Sequence, residues 1–187
     1  MLLDGTRVLI GAQAAPLFSV SYDSIRLQVP FDANATTLRL ERDGVLSDPV
    51  PLMIVSSRPY LFGVQDAAGN RVDTLSPSQA VTIGSGTRFT LFGYGFGLTN
   101  PPAPSGAPTP QPALFGPRAY QVPVTLHTYV AGKGSQNLMA RLTPGLIGVY
   151  EVTTMIPPLP TGVVGPVPIW FEVEGSNPSN QIGVWVK

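Results

Sequence analysis

Glycine and proline interrupt this chain so often that a helix of ordinary length has nowhere to form. The longest runs without either residue are 13 residues, Leu17–Val29 and Phe31–Asp43. Proline inside a helix removes a hydrogen bond and clashes with the preceding turn, and glycine is the next poorest helix former. Both runs carry a period of two. In the first, Ile25, Leu27 and Val29 alternate with Arg26 and Gln28; in the second, Leu38 and Leu40 alternate with Arg39 and Glu41. Successive side chains of a strand leave opposite faces of the pleat, so this alternation marks half-buried strands. The signature recurs at Val8–Ile10, Phe89–Phe92, Val122–Leu126, Tyr150–Ile156, Val167–Val173 and Ile182–Val186. Turn residues lie between, Asp43-Gly44 after one strand and Gly175-Ser176-Asn177 after another, as hairpins require. Short strands with frequent turns predict an all-β sandwich or barrel.

An internal repeat refines this. The strand ending at proline, Ile25–Pro30, has a counterpart in Tyr150–Pro157. Further on, Leu38–Pro49 parallels Ile169–Asn180, and each copy closes with one more strand, Pro51–Val55 and Gln181–Val186. The repeat predicts two tandem β-sandwich domains, residues 1–68 and 74–187, with a linker at 69–73 inside the polar segment Asp66–Ser76. The copies are unequal. The second carries an opening section from about Pro77 to Ala119, with the strand Arg88–Phe92, the cluster Gly93-Tyr94-Gly95-Phe96-Gly97 and a Pro-rich insertion at 100–118. The first begins almost directly at Arg7–Ile10, the counterpart of Val122–Leu126, so it is expected to lack its opening strands.

Ser76-Pro77 followed by Thr90-Leu91-Phe92-Gly93-Tyr94-Gly95-Phe96-Gly97 resembles the opening of IPT/TIG immunoglobulin-like domains, where a strand runs into a G-x-G-F turn. Val8–Gly11 through Pro16-Leu17 and Ile25–Pro30 resembles their middle, a strand, a small-residue Ala-Pro turn and a strand ending in Val-Pro. Across both repeats the chain is similar to the uncharacterised Solibacter-type C-terminal region found at the ends of large exported acidobacterial proteins. The resemblance implies an exported, non-catalytic pair of immunoglobulin-like β-sandwiches and supplies no ligand. The missing front of the first domain departs from that pattern.

Composition narrows function by exclusion. Charged residues are 12% of the chain and eleven basic residues balance eleven acidic ones, so the clustered Lys and Arg of a phosphate-binding surface are missing and no nucleic-acid partner is expected. With no cysteine and the single histidine His127, thiolate chemistry, Cys-ligated zinc and multi-His sites are excluded. No stretch approaches the roughly 18 apolar residues of a membrane helix. Met1-Leu2-Leu3 runs straight into Asp4-Gly5 without a basic segment or an apolar core. An extracellular or cell-surface location would therefore need an export signal outside this sequence. Low charge, the lack of Cys and abundant Thr, Ser, Pro and Gly favour that location.

Each motif that hints at chemistry has a structural reading beside it. The Gly93–Gly97 cluster suggests a phosphate loop, but Pro101 and Pro102 bar the helix such a loop needs; a turn with positive φ and Phe96 plugging the core is expected. His127 is out of phase with Val122, Val124 and Leu126, as a solvent-facing residue would be. Asp66, Asn70 and Asp73 offer oxygen ligands for calcium, without the spacing of an EF-hand. Glu172 and Glu174 share one strand face about 7 Å apart, and read as solvated rather than as a glycosidase pair. No catalytic, cofactor-binding or metal-binding residue is therefore expected. Tyr94, Tyr120, Tyr129, Trp170 and Trp185 are candidates for a stacking surface, with Trp170 and Trp185 opposite their strands' aliphatic faces.

The expected role is a non-enzymatic extracellular structural subunit that binds copies of itself head to tail. A sandwich without its front strands leaves unpaired backbone and an uncovered apolar face, which a strand from a neighbouring copy repairs. Such donation propagates into a filament. The expected interface residues are Val8, Ile10 and Phe18 on the acceptor, Leu114 and Phe115 on a donor within Asn100–Pro117, and Trp170 and Trp185 on the outer face. The incoming strand is expected beside Arg7–Ile10, with Ile182–Val186 as the competing donor. The alternative is an adhesion or glycan-binding module at the C-terminal end of a larger secreted protein.

Overall fold

The computed structural model describes residues 3–73, 86–100, 102–109, 114–115 and 126–186. Among these the protein is all-β: every regular element is a strand and every strand pairing is antiparallel. The buried apolar side chains fall into two clusters, a large one and a small one.

The small cluster is enclosed by β1 (Thr6–Ile10), β2 (Gln13–Ala14), β3 (Leu17–Val20), β4 (Ile25–Leu27), β5 (Thr37–Arg42), β6 (Val45–Leu46) and β7 (Val50–Pro51). One sheet runs β2-β1-β5-β6, with β7 also against β5, and β3 and β4 form a separate two-stranded sheet. The Asp43-Gly44 turn takes φ of 50° and 82° and sets Arg42 opposite Val45, the primed hairpin whose twist matches its strands. The expected strand Pro51–Val55 contracts to Val50–Pro51. One edge of β5 is shared, with Glu41 and Arg42 taken by β6 and Thr37 and Leu38 by β7, so little ladder is left. Among the described residues only Val8, Ile10, Ala15 and Leu17 are buried in this core; Ile25, Leu27, Leu52 and Ile54 pack on it half-exposed.

The large cluster is enclosed by β8 (Tyr60–Gln65), β9 (Arg88–Tyr94), β10 (Thr99–Asn100), β11 (Leu114–Phe115), β12 (Leu126–Val130), β13 (Lys133–Leu142), β14 (Tyr150–Met155), β15 (Gly165–Val173) and β16 (Ile182–Val186). The sheet order is β16-β15-β12-β13-β14-β9-β8, with β10 and β11 beside β13. Alternation is strict on β15, where Val167, Ile169, Phe171 and Val173 are buried and the residues between them are not. Two strands lie outside the repeat's description. Tyr60–Gln65, placed by the repeat in the first domain, pairs with β9 and contributes Leu61 and Val64 to the large core. Lys133–Leu142 lacks clean alternation because a bulge between Asn137 and Met139 shifts its register against β14. Of the expected strand Val122–Leu126, residues 122–125 lie outside the described residues.

The sheet bends until its ends meet. The side-chain amide of Asn180, in the connection before β16, accepts from the Leu61 N–H at 2.7 Å and donates to the Leu61 carbonyl at 2.8 Å. A side chain thus stands in for a neighbouring strand and satisfies backbone that would otherwise be unpaired. Between the facing walls, Phe96 meets Tyr150 and Phe171, each with ring centroids 4.9 Å away.

Tyr150 is 2% exposed, its hydroxyl donates to the Gly97 carbonyl, and burial holds the phenol well above its usual range. A phenol unfolds to a pKa of about 10. Above that pH the unfolded chain releases a proton that the folded chain keeps, so stability falls by about 1.4 kcal/mol per pH unit. Below it the contribution is fully present. Urea unfolding at about pH 9, 10 and 11 is expected to show a drop that is shallower in Tyr150→Phe than in the wild-type chain.

Candidate functional site

The glycine cluster sits under the segment that leads into β8. A Cβ on Gly93 would lie 2.6 Å from the Tyr60 carbonyl oxygen, and one on Gly95 would lie 2.2 Å from that of Arg58. Gly95 has φ of 74°, its carbonyl accepts from the Arg58 N–H at 2.8 Å, and Phe96 is completely buried. The motif is a turn that lets two backbones touch while driving one ring into the core.

The other polar candidates are also placed. Asp66 accepts from the Ala68 and Asn70 N–H groups and from the Asn70 side chain, at 2.9, 2.9 and 3.0 Å. These bonds, led by the Asn70 side chain, lower its pKa. Asp73 takes a bidentate bond from Arg71 at 2.7 and 2.8 Å. The two carboxylates serve a tight turn and an ion pair, and among the described residues no three His, Asp or Glu side chains gather around a common point. His127 is exposed on β12, and Glu172 and Glu174 lie on the outer side of β15 and its end.

The expected interface residues separate. Val8 and Ile10 are each 2% exposed, covered within the chain rather than awaiting a partner. The edge of β1 is also largely taken: Leu9 and Ile10 pair with Ala14 and Gln13, and the Ala15 N–H donates to the Val8 carbonyl at 2.9 Å. Strand addition beside Arg7–Ile10 is thus blocked over most of its length by the hairpin that follows Ile10. Leu114 and Phe115 pair at home, with Asn100 and Thr99 on one side and with Arg141 at Leu114 on the other. The rest of the expected donor that follows Thr109 lies outside the described residues. Trp170 and Trp185 are half-buried on outer faces.

Phe18 behaves differently. It is 48% exposed and lines an open cleft of about 1810 Å³. One wall of the cleft is the unfinished layer of the small cluster, Ile25, Leu27, Val29, Ala35, Leu52 and Ile54; the other is Tyr94, Phe96, Leu98, Ile147 and Tyr150. Met53 on its rim is 85% exposed. Among the described residues β4 pairs only with β3, and Ile25, Arg26 and Leu27 of β4 all line the cleft. The alternation of Ile25, Leu27 and Val29 signalled an apolar face, but no local pattern said that none of the described residues would cover it.

A second surface lies across β12, β15 and β16. Tyr129 stands opposite Trp170, and the rings stack with centroids 5.2 Å apart and 13° between planes. Trp185 stands opposite Pro166, four residues along β15 from Trp170. The turn Ala131-Gly132, which aligns β12 with β13, is a small-residue hairpin signal that the sequence reading passed over.

Compared with known proteins, the chain matches no family model, no curated protein and no solved structure.

Proposed function

We propose that this protein is a non-catalytic, extracellular structural subunit that assembles head to tail, an extended segment of one copy filling the apolar cleft of the next. The observation that carries this reading is the cleft itself, with one edge of β4 that no described strand pairs. Two strands with one apolar face are not stable alone in water, and monomeric proteins rarely expose contiguous apolar surface of this extent. An added strand beside β4 supplies both missing backbone partners and side chains for Phe18, Ile25 and Leu27. The acceptor edge is thus β4, not β1. Because donor and acceptor surfaces differ, the contact is heterologous and propagates. The resemblance of the glycine turn to IPT/TIG domains supports an exported, immunoglobulin-like structural role.

Sedimentation velocity and negative-stain microscopy of the purified chain test it. Assemblies that grow with concentration are expected, and Val29→Asp or Met53→Asp should leave monomers with an unchanged thermal transition for the large core. Both positions are exposed, at 44% and 85%, so a charge there costs little folding stability. A wild-type monomer at every concentration would sink the proposal, as would assembly indifferent to both charges.

A further inference from the structure

The outer face of β12, β15 and β16 carries rings and a carboxylate but no lysine or arginine. Glu172 closes the edge of the Tyr129–Trp170 stack. The Trp170 Nε1–H donates to its Oε1 at 3.2 Å, and the charge of the same carboxylate raises the pKa of the Tyr129 phenol. His127 stands across from Glu172 in register, with its ring 6.5 Å from that of Tyr129. Lys133, at the nearby hairpin, donates to the Pro158 carbonyl at 2.9 Å. Among the described residues no salt bridge reaches Glu172.

The stack is open on one side. Tyr129 lies between Trp170 and Gly134 in register, and among the described residues nothing stands within 4 Å of where a Cβ on Gly134 would be. The phenol ring therefore has one face packed on an indole and a glycine, without a side chain, as its cross-strand neighbour on the other side, with the Glu172 carboxylate nearby.

We propose that Tyr129, Trp170 and Glu172, over the floor left by Gly134, receive an arginine side chain presented by another protein chain. Charge complementarity selects a cation, because the carboxylate is held by the Trp170 indole N–H and among the described residues no salt bridge reaches it. Shape then selects guanidinium over ammonium: a planar, weakly hydrated group stacks on an aromatic face while its N–H fork reaches a carboxylate. A neutral sugar would use the ring face but leave the charge uncompensated. This site is independent of the cleft and of the assembly reading.

Intrinsic tryptophan fluorescence with three probes decides the matter: a short acetylated Gly-Arg-Gly-Arg-Gly amide, the same peptide with citrulline for arginine, and a neutral glucose oligosaccharide. Saturable, salt-sensitive binding of the arginine peptide is expected, at least tenfold weaker for the citrulline peptide. The arginine peptide should lose at least tenfold in affinity for Glu172→Gln, and similarly for Gly134→Val, which fills the floor and leaves the charge in place. No binding of the arginine peptide, equal binding of the citrulline form, indifference to both substitutions, or saturation by the oligosaccharide instead would each overturn the proposal. Circular dichroism of both variants should match wild type, and Trp185→Ala should bind as wild type does.

Discussion

Phe96→Ala is expected to lower the stability of the large core by about 3–5 kcal/mol, the usual cost of removing a buried phenylalanine from a packed interior. Phe96 is completely buried and touches Tyr150 and Phe171, one from each wall of the bent sheet. The cavity left behind cannot collapse easily. Its lining comes from β14 and β15, whose positions are set by ladder hydrogen bonds, and from Gly93, which lies so close to the Phe96 ring that a Cβ there would meet Cζ at 2.9 Å. Phe96→Leu should recover part of the loss by refilling volume. Chemical denaturation followed by tryptophan fluorescence measures both, since Trp170 and Trp185 lie on β15 and β16 of the same sheet. A loss below about 1 kcal/mol would mean that the ring is not the central plug.

Gly95→Ala is the second large effect, at about 2–5 kcal/mol. Two penalties combine there. An alanine at φ of 74° adopts the left-handed region at a cost of about 1–2 kcal/mol, and its Cβ would stand 2.2 Å from the Arg58 carbonyl oxygen. That oxygen belongs to backbone, so the strain of overpacking, roughly 1–3 kcal/mol, has no flexible side chain to absorb it. Relief requires the 56–60 segment to move away, which breaks the bond from the Arg58 N–H to the Gly95 carbonyl. Gly44→Ala is the informative control: φ is 82° there as well, but nothing lies within 4 Å of the added Cβ. It should pay the backbone penalty alone. Equal losses at the two sites would show that close approach contributes nothing at Gly95.

The cleft and the aromatic face divide differently between local and long-range information. Trp170 and Trp185 fall on outer faces as their strands' alternation predicts, because the direction of a side chain on a strand follows from its neighbours. That Tyr129 stacks on Trp170 depends on the register of β12 against β15, and that its other face is open depends on Gly134 arriving opposite from β13. Neither pairing leaves a mark within its own strand.

Period two and the punctuation by glycine and proline determined the all-β class, most strand positions, the Asp43-Gly44 hairpin and the inward face of Phe96. These are consequences of backbone sterics and pleat geometry, which act over a few residues. Tertiary structure decided the rest. Tyr60–Gln65 follows the first copy of the repeat in sequence but joins the large sheet, because strand partners are chosen by which apolar faces can be buried together. Val8 and Ile10 were candidates for a partner's contact, yet the chain covers them itself, since Gly11 turns Gln13–Ala15 back along the strand. Among the described residues the uncovered face lies instead at Phe18, Ile25 and Leu27, where β4 has a strand on only one side. A face of apolar residues is written in the sequence; whether anything in the same chain packs against it is settled only by the sum of all the other pairings.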